Sequence, residues 1–563
     1  MIRKRDDYIS LSFWRHEVLS FHSADMSFIN FGKKFGSPIP LRRTLSLMRM
    51  DGCQSIVVQE EEWLEGCNEG ICGHRHQSCL DYVENLPKYN YELINKKCYK
   101  MLFFNSMVSN ENELIIANND SLLGFCIVHN DIIINGEGKQ YLIPYVTESC
   151  LKSPLKFNAF ILPPSEVSIK VNGREFKLQT NYFSQQNGIT NCCAHAAIKM
   201  AIRGYYPQFT SEIINKKVPI DHIERKGNKG LAPDEISKVI EELSENETYL
   251  LSSTDLSSSA EFLRLVYISL ESRLPVILLF NLPEKGFDIA GHAVTLIGHT
   301  FNEHNWSSYG LKGYFRGDDV RYLPSSLWCD NLVVHDDNWG PYYLVTIRFL
   351  TDAADLSYIL SAVEEAIDKV MASSLTLPIR LGVPIDPVTA IIVYPKHMSF
   401  IKDGLLVEPY AIARLNQYIS AILVDDSVLK CESFHQYFLD YQKDNDLILR
   451  TFCLSKSEYL QFNHDNLLYE GYEDKIDEYL PDTFWLTEIS IPELYWVNRK
   501  KVGEIITDPK KFNRSREHGV IFIHLPGLIS FLENDEFITI NIQDNRNYYD
   551  LITPTGLSQF KNP

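Results

Sequence analysis

QQNGITNCCAHAAIKM, residues 185–200, decides how the rest of this chain is read. It opens as a polar loop, and from Asn191 a helical pattern begins that continues through AHAAIKMAIRGYY, with Gly204 placed to stop it. Two cysteines, Cys192 and Cys193, stand at the helix start. A cysteine in that position has its thiolate favoured by the helix dipole and the unpaired N–H groups, and a nearby imidazolium favours it further. The stretch therefore predicts a nucleophile, and directs attention to a base elsewhere in the chain.

Two later segments supply it: GHAVTLIGHTF at 291–301 and VVHDDNWGPYY at 333–343. A histidine such as His292 shuttles the proton between thiol and leaving group, and a carboxylate on its other ring nitrogen fixes tautomer and orientation. Gln186, a few residues before the cysteines, can donate an amide N–H to a developing oxyanion. Between these segments PDEISKVIEEL keeps apolar residues at helical spacing, with Pro233 in its first turn. Strand patterns then take over in PVILLF (275–280), HAVTLIGHTF (292–301), NLVVHDD (331–337) and YYLVTIRFL (342–350). Helix first and sheet second is the expected order.

The order glutamine, cysteine, histidine, aspartate resembles that of the papain-like cysteine peptidases, including the leader-peptide peptidase branch of bacterial exporters. The resemblance covers about 170 residues, and implies Gln186 as oxyanion donor, a cysteine of the 192–193 pair as nucleophile, His292 as base and Asp337 as its orienting carboxylate. Asn338-Trp339-Gly340 occupies the place of the family's Trp-Gly stretch, which implies that Trp339 shields the His-Asp bond. The C-G-[SA]-C-[WY] signature of secreted relatives is absent. Some 44 residues separate His292 from Asp337, so NEHNWSSYGLKGYFRGDDVRYLPSSLW reads as an insertion that forms one wall of a substrate cleft.

The register of the nucleophile has two readings. Gln186 to Cys192 has the family's spacing of six, whereas helix phase favours Cys193: Ala196, Ala197 and Met200 then form an inward stripe, with Lys199 and Arg203 outward. Cys193 is preferred. Asp337 is preferred over Asp336 on the match of D-N-W-G to the family's N-S-W-G, and because strand alternation turns Asp336 to the opposite face.

The totals bound what surrounds this unit. A chain of 563 residues with 45% hydrophobic and 12% aromatic content suggests several domains with ample core. The pattern changes divide it into an N-terminal mixed α/β region (1–164), a papain-like domain (165–352), a connecting amphipathic helix (353–374) and a C-terminal α+β domain (375–563), a multidomain α+β protein. Asn172-Gly173 in VSIKVNGREFKL reads as a hairpin turn. The connecting helix carries Leu356, Ile359, Leu360, Val363, Ile367 and Val370 on one stripe. A net charge of −19 disfavours nucleic acid and anionic membrane as partners. No apolar run approaches the roughly 18 residues a span requires, and no apolar segment follows the N-terminal basic residues, so a cytoplasmic protein is expected. Twelve cysteines in this length suggest free thiols in a reducing compartment. Cys67, Cys72, His74, His76 and Cys79 lie within thirteen residues, but at C-x4-C and H-x-H spacings that differ from zinc knuckles, so neither metal nor cofactor is expected.

The expected function is cleavage of a peptide or isopeptide bond through an acyl-enzyme, with a protein or peptide as substrate and flanking domains that recruit a partner. Two alternatives stay open: transfer of the acyl group to an amine or deamidation by the same residues, and a catalytically idle module that binds a peptide.

Overall fold

A computed structural model describes residues 8–552 apart from 16–17, 62–89, 96, 153–158, 172, 187–192, 203–210, 219–229, 257–258, 283–289, 302–315, 318–319, 348–387, 426–431, 445, 466–472, 513–517, 535 and 543–545. Helices pack against three large, mostly antiparallel sheets, an α+β arrangement. Cys192, the 67–79 cluster and the helix expected over 353–374 lie outside the described residues.

The first sheet has nine strands between residues 8 and 183. Its last hairpin pairs Ser165–Val171 with Arg174–Phe183, Val171 opposite Arg174, and Gly173 has a φ of 73°, the left-handed backbone a tight hairpin needs. Asn181, Tyr182 and Phe183 also pair with residues 149–151. Residues 165–183 therefore belong to the first sheet, although the sequence pattern grouped them with the hydrolase unit.

The second sheet carries the cysteine helix. Its strands are β1 (Ala159–Ile161), β2 (Asn246–Ser252), β3 (Val276–Leu282), β4 (Ala290–Thr300), β5 (Asn331–Asp336), β6 (Gly340–Thr346) and β7 (Thr389–Pro395). The order is β2-β7-β3-β4-β5-β6, with β1 beside the far end of β4. At Gly298 a Cβ would stand 2.0 Å from the Phe160 carbonyl oxygen, so only glycine lets β1 approach there. β7 corrects the sequence-based boundary: AIIVYP was assigned to the C-terminal domain, yet it fills the position between β2 and β3 and is buried on both faces. A short apolar run states that it will be buried and leaves its partner unstated.

Five helices matter here: α1 (Ile39–Met50), α2 (Cys193–Ile202), α3 (Pro233–Leu243), α4 (Ser259–Glu271) and α5 (Gly404–Leu423). The period-two alternation of the strands sorts their side chains between two helical layers. Ile277, Ala293, Ile391 and Val393 face Ala194, Ala197, Ile198 and Ala201 of α2 and Ile236, Val239 and Ile240 of α3. Val276, Leu278, Val294, Leu296, Ala390 and Ile392 face Phe262, Leu265, Val266 and Leu270 of α4. The alanines let α2 lie close on the sheet, which fixes where its N-terminus points.

The third sheet has eight strands. Residues 316–324, inside the segment read as an insertion between His292 and Asp337, join it: Val320–Pro324 pairs in parallel with Leu447–Ser455. That segment thus ties the second sheet to the third, and residues 302–315 and 318–319 of the expected cleft wall, 302–328, lie outside the described residues. Among the described residues no helix is long and apolar enough to cross a membrane.

Candidate active site

His292 sits near the start of β4, opposite Phe280 of β3, whose ring stands edge-on at 5.3 Å. The imidazole is buried. Its Nε2 lies 3.2 Å from Asp336 Oδ1, 3.7 Å from Asp337 Oδ1 and 3.4 Å from the side-chain amide of Asn338. Three successive residues of one turn therefore crowd one nitrogen. Cys193 opens α2, is half-buried, and hydrogen-bonds the imidazole. With Nε2 committed to the turn, Nδ1 is the nitrogen left for the sulfur.

Burial on its own would lower the His292 pKa. The charge and hydrogen bond of Asp336, the hydrogen bond with Cys193 and the charge of Asp337 outweigh that effect and hold it well above the ordinary histidine value. Asp337 goes the other way from a usual carboxylate: full burial pushes its carboxyl up, Asp336 adds to the rise, and His292 opposes it.

The turn is built by Asp336 itself. Its carboxylate accepts from the Asn338 backbone N–H at 2.9 Å and its carbonyl accepts from the Trp339 N–H at 3.1 Å, the local side-chain bonding that aspartate favours in turns. The strand register shifts between Val334 and Asp336, which pairs with Gly340. That irregularity corrects the expectation for the carboxylates. Alternation was to turn Asp336 away, but the bulge breaks the alternation, so both carboxylates reach His292 and the hydrogen bond goes to Asp336.

Gln186 is tied in through Asn338, whose Oδ1 accepts from Gln186 Nε2 at 3.3 Å. Its neighbour Gln185 is pinned to the first sheet, exchanging bonds with the Val146 backbone in both directions. Trp339, expected over the His-Asp bond, is half-buried and stacks on Tyr343 at 5.7 Å between ring centroids. Asn338 is a site residue to which the sequence reading gave no role, and Asp336 is the one it weighed and placed second to Asp337.

Helix phase does not select the cysteine. Lys199, expected outward, is 9% exposed and His195 is 2% exposed, so α2 is buried all round and its phase carries no preference. Cys193 is the first described residue of α2 and hydrogen-bonds His292, and Cys192 lies outside the described residues.

Helix α1 clamps the same turn from the first sheet's side. Arg43 donates from Nη2 to the Tyr342 carbonyl at 2.5 Å and from Nε to the Pro341 carbonyl at 3.4 Å. Tyr342 has a φ of 53°, unfavourable for its side chain, and its hydroxyl donates to the Leu151 carbonyl at 3.1 Å. Gly340 has a φ of 109°, and a Cβ there would stand 2.9 Å from the Arg43 Cβ. Gly340→Ala is therefore expected to destabilise the protein by about 1–3 kcal/mol in urea titration, from backbone strain and this clash. An unchanged midpoint would show that the turn is not held as described.

Compared with known proteins, the chain matches no family model and no curated protein. What the site can do is therefore argued from its own geometry. A thiol, an imidazole held by carboxylate and an amide donor tied to the same turn can carry a nucleophilic acyl transfer.

Proposed function

We propose that this chain is a multidomain thiol hydrolase with a papain-like catalytic arrangement, cleaving a peptide or isopeptide bond in a protein or peptide substrate. The observation that carries the reading is the line Cys193, His292, Asp336: a thiol at a helix start, bonded to an imidazole whose far nitrogen is held by a carboxylate. In the first step the thiol proton passes to His292 and the sulfur attacks the substrate carbonyl carbon. The oxyanion is stabilised by the Gln186 amide. The imidazolium then gives its proton to the departing amine as the C–N bond breaks, leaving a thioester. Water, deprotonated by His292, cleaves the thioester and the thiol regains its proton. Asp336 steadies the imidazolium in both halves of the cycle. Asn338 keeps Gln186 and His292 in one frame.

The test is site-resolved alkylation. A limiting amount of iodoacetamide at pH 6, followed by peptide mass spectrometry, is expected to modify Cys193 first, and Cys193→Ala to abolish a hydrolysis that Cys192→Ala retains. Preferential alkylation of Cys192, or labelling spread evenly over the thiols, overturns the assignment.

A further inference from the structure

The crowding at His292 Nε2 is more than a catalytic base needs. One carboxylate suffices to orient an imidazole, yet two converge here, and the second is under-compensated: Asp337 is fully buried, neither of its oxygens meets full hydrogen-bond geometry with a donor, and its facing cation is His292 Nε2 at 3.7 Å. A buried carboxylate so thinly satisfied is a standing cost to the fold. Such a group in a native structure calls for a ligand.

We infer that His292, Asp336 and Asp337 form a binding site for a divalent transition-metal ion, zinc above all, which when filled switches off the thiol chemistry. One ligand atom from each of the three lies within 4.8 Å of the others. Zinc bonds to nitrogen and oxygen are about 2.0–2.2 Å, so tetrahedral ligand atoms stand about 3.3–3.6 Å apart. The observed separations from Nε2 are 3.2 Å and 3.7 Å, close to that spacing. One imidazole and two carboxylates suit zinc or manganese better than magnesium or calcium, which prefer oxygen alone. The double charge of the ion offsets two buried carboxylates at once. Asn338, exposed at the rim, leaves the remaining position open to water.

The regulatory half rests on the hydrolase reading and follows from imidazole chemistry. A metal on Nε2 uses that lone pair and displaces its proton, and the single remaining ring proton then sits on Nδ1. A protonated Nδ1 cannot accept the Cys193 proton, and Asp336 is no longer free to steady an imidazolium. The filled site holds the nucleophile without its base.

The experiment uses the chelator-stripped full chain, dialysed against zinc chloride and analysed for bound metal. The background is Cys193→Ala with Cys67→Ser, Cys72→Ser, His74→Ser, His76→Ser and Cys79→Ser, so that neither the thiol nor the N-terminal cluster supplies the ligands. About one zinc per chain is expected, with affinity falling at least about tenfold on adding Asp337→Asn or, separately, Asp336→Asn. Asparagine preserves shape at both positions, so folding, checked by circular dichroism, is retained. With Cys193 intact, zinc should slow hydrolysis and Asp337→Asn should relieve that inhibition. No bound zinc, or zinc indifferent to both aspartates, overturns the metal site. Aspartate-dependent zinc in a chain without thiol-dependent hydrolysis keeps the metal site and removes the hydrolase reading; hydrolysis unaffected by zinc that binds removes the switch.

Discussion

His292→Ala is expected to lower kcat/KM for thiol-dependent hydrolysis by about 10³-fold or more, the scale on which loss of a general base from a nucleophile-base pair acts. The imidazole is in contact with both the thiol and the carboxylates. The two aspartates should then separate. Asp336→Ala loses the 3.2 Å bond to Nε2 and the 2.9 Å bond to the Asn338 N–H, so about 10²-fold is expected. Asp337→Ala, at 3.7 Å and without a hydrogen bond, should reduce activity less. Asp336→Asn isolates charge from shape. The negative charge of Asp336 helps raise the His292 pKa, so its removal lowers that pKa and, because the base must be unprotonated to take the thiol proton, moves the acidic limb of the kcat/KM profile to lower pH. A larger loss at Asp337 than at Asp336 would restore the sequence-based choice.

That reversal shows what was legible in the sequence and what was not. The helix bearing Cys193 and the strand bearing His292 stand where period and residue chemistry placed them, because each is a local property. Pro233 at the first turn of α3 and Gly173 in the hairpin are equally local, and both hold. The choice between Asp336 and Asp337 needed one more fact, the bulge at His335, which no residue type announces. The division at 352 failed for a different reason. Thr389–Pro395 and Val320–Pro324 each look like an ordinary apolar strand, yet Ile392 pairs with Val276, 116 residues away, and Tyr322 with Leu447, 125 residues away. Pairing over that separation is decided by the assembled sheet edge rather than by the strand's own sequence.

Glu271→Gln is expected to destabilise the folded chain by about 3–5 kcal/mol at pH 7, although Glu271 touches nothing in the catalytic line. It ends α4, and its carboxylate accepts from His299 Nε2 at 2.9 Å and from Arg450 Nη2 at 2.6 Å. Arg450 donates on to Glu488 at 2.7 Å, and Glu488 accepts from Lys501 at 2.8 Å. Lys501 also pairs with Glu504, which the Tyr459 hydroxyl meets at 2.5 Å. All of these side chains are buried, so each charge is stable only while its partner is present. Burial alone would raise the Glu271 pKa; the Arg450 charge and His299 outweigh it and take the carboxyl down to about 2. A depressed carboxyl stabilises the fold above its unfolded value, near 4.5, and that contribution is lost as the pH falls toward 2. The gap between wild type and Glu271→Gln should therefore be widest near neutrality and shrink below about pH 4.5. Because the chain of charges runs from the second sheet into the third, the wild-type urea transition should be a single step by fluorescence and circular dichroism. A loss under about 1 kcal/mol, the same at pH 7 and pH 4, would mean that the charges are solvated and the two sheets are held by apolar contact alone.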